Sequence, residues 1–393
     1  MSATRYDVVV AGAGMVGACA ALALAGRGMR VGLVETAGIE PAIDPGDDYD
    51  LRVSAISPRS RDLLQNLGVW QQLDASRVCP YEQMHVWHEH GAASVHFDAV
   101  ELGQSDLGAL VENRLLQQTL QRACDAVPGI DWYRPDRIEH LIDNGETGAV
   151  VQLNSGQQLQ TALLIAADGR QSPTRELASI DIESGSYHQR AIVANVSTAK
   201  PHEFTAWQRF LATGPLAFLP LANGQSSIVW SCDDAFAHQL LELGDDDFRA
   251  ALGEAFEYRL GEVTATSERR SFPLGWHHCE RWFNGRVLLL GDAAHSVHPL
   301  AGQGVNQGFS DVELCVALIG DCRAQIPRAA LRRFERQRKS ETWLAGNGFG
   351  ALKWLYGLDH PAVTQLRDLG MRSVDATPWL RRAMISRAVN NLA

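Results

Sequence analysis

The stretch GDAAHSVHPLAGQGVNQG, residues 291–308, is rich in small and polar side chains and contains little that could build a hydrophobic core. It follows the apolar run 287–290, which predicts a buried strand, and precedes residues 305–319, which predict a helix. Asp292 therefore falls at the carboxyl end of a strand, where α/β folds bind ligands, and its carboxylate can accept hydrogen bonds from ligand hydroxyls. The alternative is that Asp292 only caps the turn that follows it.

A second glycine-rich turn lies near the N terminus, in the segment YDVVVAGAGMVGACAALALAGRGMRVGLVE. Its apolar run 8–10 predicts a strand, residues 15–25 predict an alanine-rich helix, and residues 30–34 predict a second strand. The glycines between the first strand and the helix follow the spacing G-x-G-x-x-G. This order of strand, turn, helix and strand is typical of dinucleotide-binding folds.

Each glycine of this turn has a separate task. Gly12 permits the tight turn, Gly14 lets the backbone approach a pyrophosphate, and Gly17 lets the helix pack against the strand. Ala13 and Val16 lie between them and complete the predicted phosphate-binding turn. The N terminus of the helix adds N–H groups and the positive end of its dipole, which favour phosphate binding.

Glu35 ends the second strand, 21 residues after Gly14. An acidic side chain at this point accepts hydrogen bonds from the ribose hydroxyls of an adenosine. A glutamate also disfavours a 2′-phosphate, which an arginine would accommodate. The predicted nucleotide is therefore either FAD or NAD.

Composition narrows the function further. The chain has 393 residues, of which 46% are hydrophobic, and a formal net charge of −11, which favours folded domains with real cores and argues against a nucleic-acid partner. Its seven cysteines form no C-x-x-C pair, which favours a reducing, cytoplasmic compartment. No metal site is predicted: on a strand, His85 of HVWHEH would point away from His88 and His90, and we expect exposed, structural histidines.

The C-terminal part is basic although the whole chain is acidic. Residues 321–393 contain 13 Lys and Arg against 6 Asp and Glu, and GFGALKWLYGL places apolar and aromatic residues at helical spacing. Such a composition is typical of helices at a membrane interface, with helices packed on the rest of the chain as the alternative. The uncharged run 8–26 consists mostly of Ala and Gly and predicts neither a membrane span nor a signal peptide.

Three further segments lie between the two glycine-rich turns in sequence. Ser57 is predicted as a helix N-cap in DLRVSAISPRSRDLLQNLGVW, and Arg114 lies at the predicted start of a helix in VENRLLQQTLQRACDA. In LQTALLIAADGRQSPTRE, a predicted strand leads directly to Asp168-Gly169. With G-x-G-x-x-G first and Gly291-Asp292 last, this order resembles the class A flavoprotein monooxygenases, whose fold is that of p-hydroxybenzoate hydroxylase. Within that class, the chain resembles the ubiquinone-biosynthesis hydroxylases (the UbiH, UbiF and UbiI group), most of all the UbiI type. The segments that carry this resemblance are DLRVSAIS, LGVW, VENRLL, GDAAHSVHPLAGQGVN and RRFERQRK.

The resemblance implies FAD as the bound cofactor, NAD(P)H as co-substrate and O₂ as the source of the oxygen atom. It implies that Asp292 accepts from the ribityl hydroxyls of the flavin. It also implies that the flavin ring lies against exposed N–H groups at the start of a helix, which stabilise its negative charge, at Gly302, Gly304, Val305 and Asn306. The chain departs from the family pattern at Gln307, where an aliphatic side chain is expected.

The resemblance also gives cofactor roles to residues that could instead serve only the local structure. Arg52 corresponds to an arginine near the flavin and Arg114 to one near the pyrophosphate, with solvated helix-flanking arginines as the alternative. Asp168 corresponds to a residue that serves both flavin binding and the reaction with NAD(P)H, with turn capping as its alternative. His298 and Pro299 are expected over the reactive edge of the flavin, where His298 is either a proton donor or a packed loop histidine. We assign no catalytic base.

The resemblance predicts an α/β fold with a Rossmann-type FAD-binding domain, an interleaved β-sheet substrate domain and a helical C-terminal tail. We expect a discontinuous FAD-binding domain (1–75, 103–180 and 282–330), a substrate domain in two pieces (76–102 and 181–281) and a C-terminal helical region (331–393). RAIVANVST, GPLAFLPLA and SSIVWSC predict strands of the substrate domain. Leu216, Phe218 and Trp230 on these strands face either the substrate pocket or the core.

The predicted function is FAD-dependent hydroxylation of the aromatic ring of a polyprenylphenol intermediate in ubiquinone biosynthesis. The alternative is a hydroxylase of a small soluble aromatic compound, for which a buried arginine in the substrate domain is expected; Arg190 and Arg209 are the candidates. An NAD-dependent dehydrogenase would lack the second and third fingerprints, and a flavoprotein that only binds FAD would not consume NADH and O₂. The expected partners are a prenylated phenol or quinol, a biosynthetic complex or membrane surface, and a second copy of the chain. We expect a cytoplasmic protein that is peripheral at the inner membrane.

Overall fold

The computed structural model describes residues 3–44, 46–89, 93–296, 304–322, 325–357 and 361–389. The α-helices within these ranges are α1 (Met15–Ala25), α2 (Pro58–Asn66), α3 (Asn113–Asp125), α4 (Pro173–Leu177), α5 (Asp234–Glu242), α6 (Asp245–Ala255), α7 (Gly304–Ile319), α8 (Arg328–Gly357), α9 (Pro361–Ala376) and α10 (Pro378–Val389).

Strands from all parts of the chain except the C-terminal region form three sheets. In chain order they are β1 (Thr4–Ala11), β2 (Val31–Val34), β3 (Val53–Ile56), β4 (Cys79–Tyr81), β5 (Gln83–His88), β6 (Ser94–Asp98), β7 (Gly108–Glu112), β8 (Ile130–Tyr133), β9 (Ile138–Asn144), β10 (Ala149–Leu153), β11 (Gln158–Ala166), β12 (Ile182–Thr198), β13 (Thr205–Leu211), β14 (Gly214–Pro220), β15 (Ser226–Asp233), β16 (Val263–Thr266), β17 (Arg270–Cys279), β18 (Phe283–Asn284), β19 (Val287–Leu289) and β20 (His295–Ser296).

The first sheet has a parallel centre. β8, β2, β1, β11 and β19 lie side by side in that order and run parallel, while β18, β10 and β9 extend the sheet in antiparallel pairing. The central strand β1 is fully buried at Val8, Val9 and Val10, as its uninterrupted apolar run predicts. Because parallel strands end at the same edge of a sheet, the turns that follow β1, β11 and β19 are neighbours.

Local sequence signals explain where the helices next to this sheet begin. The helix α1 starts at Met15, directly after the glycine-rich turn, and it is buried from Gly17 to Leu24. Ser57 caps α2 by accepting a hydrogen bond from the Ser60 N–H, and Pro58 occupies the first turn, where its missing N–H leaves no bond unmade. The sequence-based predictions of these helices are confirmed.

The second sheet is largely antiparallel, in the order β20, β17, β12, β15, β14, β13, β5 and β6, with β16 beside β12. The helices α5 and α6 cover one of its faces. Leu216, Phe218 and Trp230 lie on that face, are at most 1% exposed, and pack with Phe248 and Phe256. Alternate residues of a strand point to opposite faces, and these three point to the face that the helices cover. Because they are buried there, they belong to the core and do not line a pocket.

A small third sheet, β3, β7 and β4, connects the two large ones. Its Tyr81 and Leu110 pack against Ala217 and Leu219 on the other face of the second sheet. The strand β4 lies in a predicted substrate segment but pairs with β7 of a predicted FAD-binding segment, and β20 likewise pairs with β17 across the predicted division. The domain boundaries stay a prediction.

The C-terminal helices pack on both large units of the fold. The helix α8 contacts α7, and α9 contacts β6 at the edge of the second sheet. His88 at the end of β5 is only 1% exposed, and its Nε2 lies 2.9 Å from Asp368 of α9. The expectation of an exposed histidine is therefore wrong for His88, because α9 covers it; His85 is half-buried, and His90 lies outside the described residues.

Within the described residues no helix is both long and apolar enough to span a membrane. No group of three or more His, Cys, Asp or Glu side chains in the same ranges is arranged to hold a metal ion.

Candidate active site

The three fingerprint turns lie together at the carboxyl edge of the first sheet. The Ala167 N–H donates to the Ala11 carbonyl at 2.8 Å, and the Leu290 N–H donates to the Ala166 carbonyl at 2.9 Å. These bonds continue the pairing of β1, β11 and β19 to the last residue of each strand. Segments separated by more than a hundred residues in sequence thus meet at one edge, which is where α/β sheets bind ligands.

The first turn has no room for side chains at two of its glycines. Gly12 has φ of 91°, and a Cβ there would lie 2.6 Å from the carbonyl oxygen of Ala167. A Cβ on Gly17 would collide with the carbonyl oxygen of Gly12. Gly14 is different, because no atom lies within 4 Å of the place that its Cβ would take. Gly14 therefore presents bare backbone to open space, as close approach of a pyrophosphate requires.

This open space belongs to a cleft of about 470 Å³. Its walls come from the turn after β1, the end of β2, the helix α3 and the turn after β11, and they include Gly12, Gly14, Glu35, Gln117, Asp168 and Thr174. A bare glycine backbone at a helix N terminus supplies N–H donors for phosphates, and a carboxylate at the end of the next strand accepts from ribose hydroxyls; an adenosine diphosphate needs both. The residues present fit FAD.

Glu35 holds the turn as well as facing the cleft. One carboxylate oxygen accepts from the Ala13 N–H at 2.6 Å, and the other accepts from the Ala37 N–H at 2.9 Å. On the opposite side, Gln121 of α3 donates to the Ala13 carbonyl at 2.8 Å. The oxygen that accepts from Ala37 also accepts from the Thr36 hydroxyl at 3.1 Å. The oxygen that accepts from Ala13 has a second lone pair, so Glu35 can still accept from a ribose hydroxyl.

Asp168 lines the cleft and bonds to the start of the short helix α4, whose N-cap is Ser172. Its carboxylate accepts from the Ser172 hydroxyl and, at 3.0 Å, from the Thr174 N–H. The turn-capping alternative thus describes contacts that Asp168 makes, and its place in the cleft wall leaves the predicted cofactor role open. Nearby, the buried Arg175 donates to the carbonyls of Arg170 at 3.0 Å and Ala293 at 3.1 Å. Arg175 thereby links the second fingerprint turn to the third.

Asp292 projects from the third turn into solvent-accessible space. Its side chain is exposed. Desolvation by the protein atoms around the third turn raises the pKa of its carboxyl above the ordinary value, against the opposing effect of His295, Arg52 and Arg170. Its backbone carbonyl accepts from Nε2 of His277 at 2.9 Å, so Nε2 carries the proton. Burial lowers the pKa of His277 to about 4, and this imidazole is neutral at pH 7.

A buried charged cluster lies beneath the third turn. Asp311 of α7, which is fully buried, accepts from the Gly291 N–H at 2.8 Å, from His295 Nε2 at 2.8 Å and from Arg338 Nε of α8 at 2.5 Å. Burial by itself raises the pKa of the Asp311 carboxyl, but His295 and Arg338 outweigh that effect and the pKa lies below its ordinary value. The ring of His295 stacks on Trp282 with centroids 4.7 Å apart.

Gln307, the departure from the family pattern, belongs to the same cluster. Its side-chain oxygen and its backbone carbonyl accept from the Arg338 guanidinium at 2.9 and 3.2 Å. An aliphatic residue would provide only the backbone acceptor. The polar side chain at this position is therefore matched to Arg338, which also pairs with Glu341.

The start of α7 lies close to the first turn. Val16 packs against Gly291 and Gly308, where a Cβ on Gly308 would collide with it. Asn306 is 1% exposed, and its side chain accepts from the Ser57 N–H at 3.0 Å and donates to the Ala55 carbonyl at 2.7 Å. This side chain fixes α7 to the β3–α2 junction. The amide of Asn306 is thus used within the fold, and what the described first turn of α7 offers a ligand is its backbone N–H groups.

The structure brings one of the two predicted arginines to the third turn. Arg52 is exposed, interacts electrostatically with Asp292, and lies over the Phe272 ring at 5.7 Å. Arg114 instead contacts the Pro41 carbonyl at 3.1 Å and Glu40 at 3.5 Å, on a surface loop. Its role near the pyrophosphate stays a prediction. Gly302, His298 and Pro299 lie outside the described residues.

Sequence reasoning missed the side chains that hold these turns from beneath. They are Arg175, His277, His295, Asp311 and Arg338. One signal was available: Asp311 falls on the buried face of α7, between Phe309 and Val312, and a carboxylate on an apolar helix face requires a partner.

The parallel sheet, the three converging turns and the cleft define a dinucleotide-binding flavoprotein of the α/β class. A family model described as "FAD binding domain" matches residues 5–346, and the chain belongs to this family. Among curated relatives, it is 33% identical to the 3-demethoxyubiquinol 3-hydroxylase of Escherichia coli, over 98% of both chains. It is 32% identical to the mitochondrial ubiquinone biosynthesis monooxygenase COQ6 of Xenopus tropicalis, over 96% of this chain and 92% of the relative.

Solved structures confirm the fold. The p-nitrophenol 4-monooxygenase PnpA of Pseudomonas putida superposes with a TM-score of 0.77 over 99% of both chains, at 18% sequence identity. The predicted fold class, a Rossmann-type FAD-binding unit with a second β-sheet and a helical C-terminal region, is therefore correct.

Proposed function

We propose that this protein is an FAD-dependent monooxygenase that uses NAD(P)H and O₂ to hydroxylate the aromatic ring of a polyprenylphenol intermediate in ubiquinone biosynthesis. One observation carries the proposal: the three turns that bind FAD in this class lie side by side at one edge of the parallel sheet, in a chain that aligns along nearly its full length with a 3-demethoxyubiquinol 3-hydroxylase. When bound, FAD accepts a hydride from NAD(P)H and activates O₂ for transfer to the ring.

The chain's own residues bind and orient the cofactor in this proposal. The first turn, with Gly12, Ala13, Gly14, Val16 and Gly17, holds the pyrophosphate against bare backbone and the N terminus of α1. Its open space at Gly14 supports this role, because an added side chain there would meet only the ligand.

The remaining cofactor contacts divide between the adenosine and the flavin. Glu35 accepts from the ribose hydroxyls, and Asp292 accepts from the ribityl chain. The N terminus of α7 presents backbone N–H groups to the negative charge of the reduced ring. Asp168 contacts the cofactor from the cleft wall, and Arg52 contacts the flavin from its place near Asp292. Arg114 approaches the pyrophosphate from α3.

The arginine contacts in the second sheet favour a neutral, apolar substrate over a small acidic one. Arg209, the more buried of its two candidate arginines, donates to the Ala255 carbonyl and pairs with Glu257 at 2.8 Å. The charge of Arg209 is thus paired on the face that the helices cover. Arg190 donates to the Ser271 hydroxyl at 2.9 Å and is only half-buried. An enzyme for a carboxylated aromatic would need an arginine freed from such partners and turned to the cleft.

A prenylated substrate partitions into the bilayer, so the protein must meet it there or on a partner protein. We therefore infer a peripheral location at the inner membrane, with a biosynthetic complex as the other route of delivery. The basic composition of the C-terminal region supports the membrane location, because anionic lipid attracts clustered Lys and Arg.

The test is rescue of a bacterial host that lacks its own ring hydroxylases of ubiquinone biosynthesis. Expression of the chain should deplete one accumulated intermediate and restore ubiquinone, measured by mass spectrometry of lipid extracts. The matched control is Gly14→Val, which removes the pyrophosphate site. A host whose intermediates do not change, although the purified protein oxidises NADH with a small soluble phenol, would favour the soluble-aromatic alternative.

A further inference from the structure

We propose that the outward face of α9 and α10, carrying Leu369, Arg372, Trp379 and Arg382, is a docking surface for an anionic phospholipid bilayer. This inference rests on the proposed function, because a prenylated substrate gives the protein a reason to reach a bilayer. It adds to that function the surface by which the protein binds the bilayer.

The helix α9 has two chemically different faces. Its inward face is fixed to the edge of the second sheet, where Asp368 lies 2.9 Å from His88 Nε2 and accepts from the Ala93 N–H at 3.2 Å. One heptad later, Asp375 accepts from the His96 N–H at 3.3 Å. Both carboxylates of the two helices are therefore turned toward the protein and engaged there.

The anchoring extends to α10 and to apolar contacts. Met371, between the two aspartates on the same helix face, is buried against Ala93 and Val95. Arg381 of α10 donates to Glu101 at 2.8 Å. The pair of helices is thus fixed on the protein, and its other face is presented in a defined orientation.

The outward face combines large apolar side chains with positive charge. Leu369 is 63% exposed and Trp379 is 71% exposed, and Arg372 and Arg382 are exposed beside them in sequence at helical spacing. Leu369 and Arg372 are three residues apart, as are Trp379 and Arg382, so each pair shares a helix face. Apolar and aromatic residues with arginines nearby are what interfacial helices use, and an anionic surface complements a face whose acidic residues are turned inward.

The experiment uses the full-length, FAD-loaded protein and measures co-sedimentation with vesicles of phosphatidylglycerol or of phosphatidylcholine. We expect binding to the anionic vesicles that weakens with salt. Trp379→Ala should lower the affinity about tenfold, and Arg372→Gln and Arg382→Gln should each lower it about fivefold. Matched controls are Ile142→Ala, 50% exposed on the first sheet, and the exposed Arg270→Gln on the second, which should leave binding unchanged.

Equal vesicle binding by all variants, or no binding by the unaltered protein, would overturn the docking surface. Loss of self-association in Trp379→Ala, with vesicle binding unchanged, would assign the face to a second copy of the chain and also overturn it. Hydroxylation of a short-chain prenylphenol in vesicle-free buffer separates the two proposals. That activity persists if only the docking surface is wrong, and it is absent if the proposed function is wrong.

Discussion

Asp311→Asn is expected to weaken both the fold and FAD binding, because Asp311 receives three hydrogen bonds at the base of the third turn. The donors are the Gly291 N–H, His295 Nε2 and Arg338 Nε, at 2.8, 2.8 and 2.5 Å. Asparagine has nearly the same shape, but it removes the charge and turns an NH₂ group toward at least one N–H donor. Arg338, 1% exposed, keeps only Glu341 as a carboxylate partner.

Removing one partner of a buried ion pair costs about 3–5 kcal/mol of unfolding free energy. Glu341 is at the protein surface and compensates in part, so we expect about 3 kcal/mol for Asp311→Asn. With the amide oxygen toward the charged Arg338, the NH₂ group replaces the oxygen that accepts from Gly291. The Gly291-Asp292 turn then loses its N–H anchor, and one such hydrogen bond contributes about 1 kcal/mol, which corresponds to a loss of FAD affinity of about fivefold. Arg338→Met should cost less, because Asp311 keeps Gly291 and His295 as donors.

Denaturant unfolding of the FAD-free protein gives the stability change, and quenching of flavin fluorescence gives the dissociation constant. The double variant Asp311→Asn/Arg338→Met should be more stable than Asp311→Asn alone, because it leaves no buried charge unpaired, with a coupling of about 1–3 kcal/mol. As a control, Asp246→Asn removes a surface ion pair with Arg249 and should cost less than about 1 kcal/mol. Additive effects of the two cluster substitutions would refute the argument that they form one pair.

Three further predictions concern the first and third turns. Gly14→Val should yield protein without flavin, whereas Gly244→Val, at another open helix N-cap with similar φ, should purify yellow; full flavin occupancy in Gly14→Val would remove the pyrophosphate assignment. Asp292→Ala should weaken FAD binding about tenfold or more, since it removes an acceptor for hydroxyl donors worth about 1–3 kcal/mol, and an unchanged dissociation constant would leave Asp292 with turn capping alone. His277 has a folded pKa of about 4, below its ordinary value of 6.5, so the unfolded chain takes up the proton first and stability falls as pH drops from 6.5 to 4. His277→Gln keeps a donor for the Asp292 carbonyl and should flatten this dependence in unfolding experiments; an identical pH profile would contradict the buried neutral imidazole.

Features set by neighbouring residues were predictable from the sequence. The strand, glycine-rich turn and helix around Gly12–Gly17 follow from an apolar run, glycine spacing and a second strand within 35 residues. The start of α2 follows from Ser57 and Pro58, whose capping contacts are local. The α/β class and its cofactor followed from the order of such segments along the chain.

Contacts that depend on strand register or on distant helices were not predictable in this way. The side-chain contacts of Asn306 could not be foreseen, because its amide bonds to residues about 250 positions earlier in the chain. Phe218 and Trp230 alternate along their strands with Ala217 and Val229, which pack toward the third sheet, and only the position of α5 and α6 decides which face the helices cover. His88 became buried because α9, almost 300 residues later, covers it. Sequence periodicity carries no information about which distant element covers a face.

The third turn illustrates why its supports lie in other parts of the chain. A turn that must let a flat ligand approach its backbone cannot carry bulky side chains, so it cannot stabilise itself by packing. Its buried backbone groups still need partners. The Gly291 N–H is bound by Asp311, the Asp292 carbonyl by His277, and the Ala293 carbonyl by Arg175. Each support is a polar side chain in a buried position, at most 3% exposed. The buried charged residues are present because the third turn lacks side chains that could stabilise it by packing.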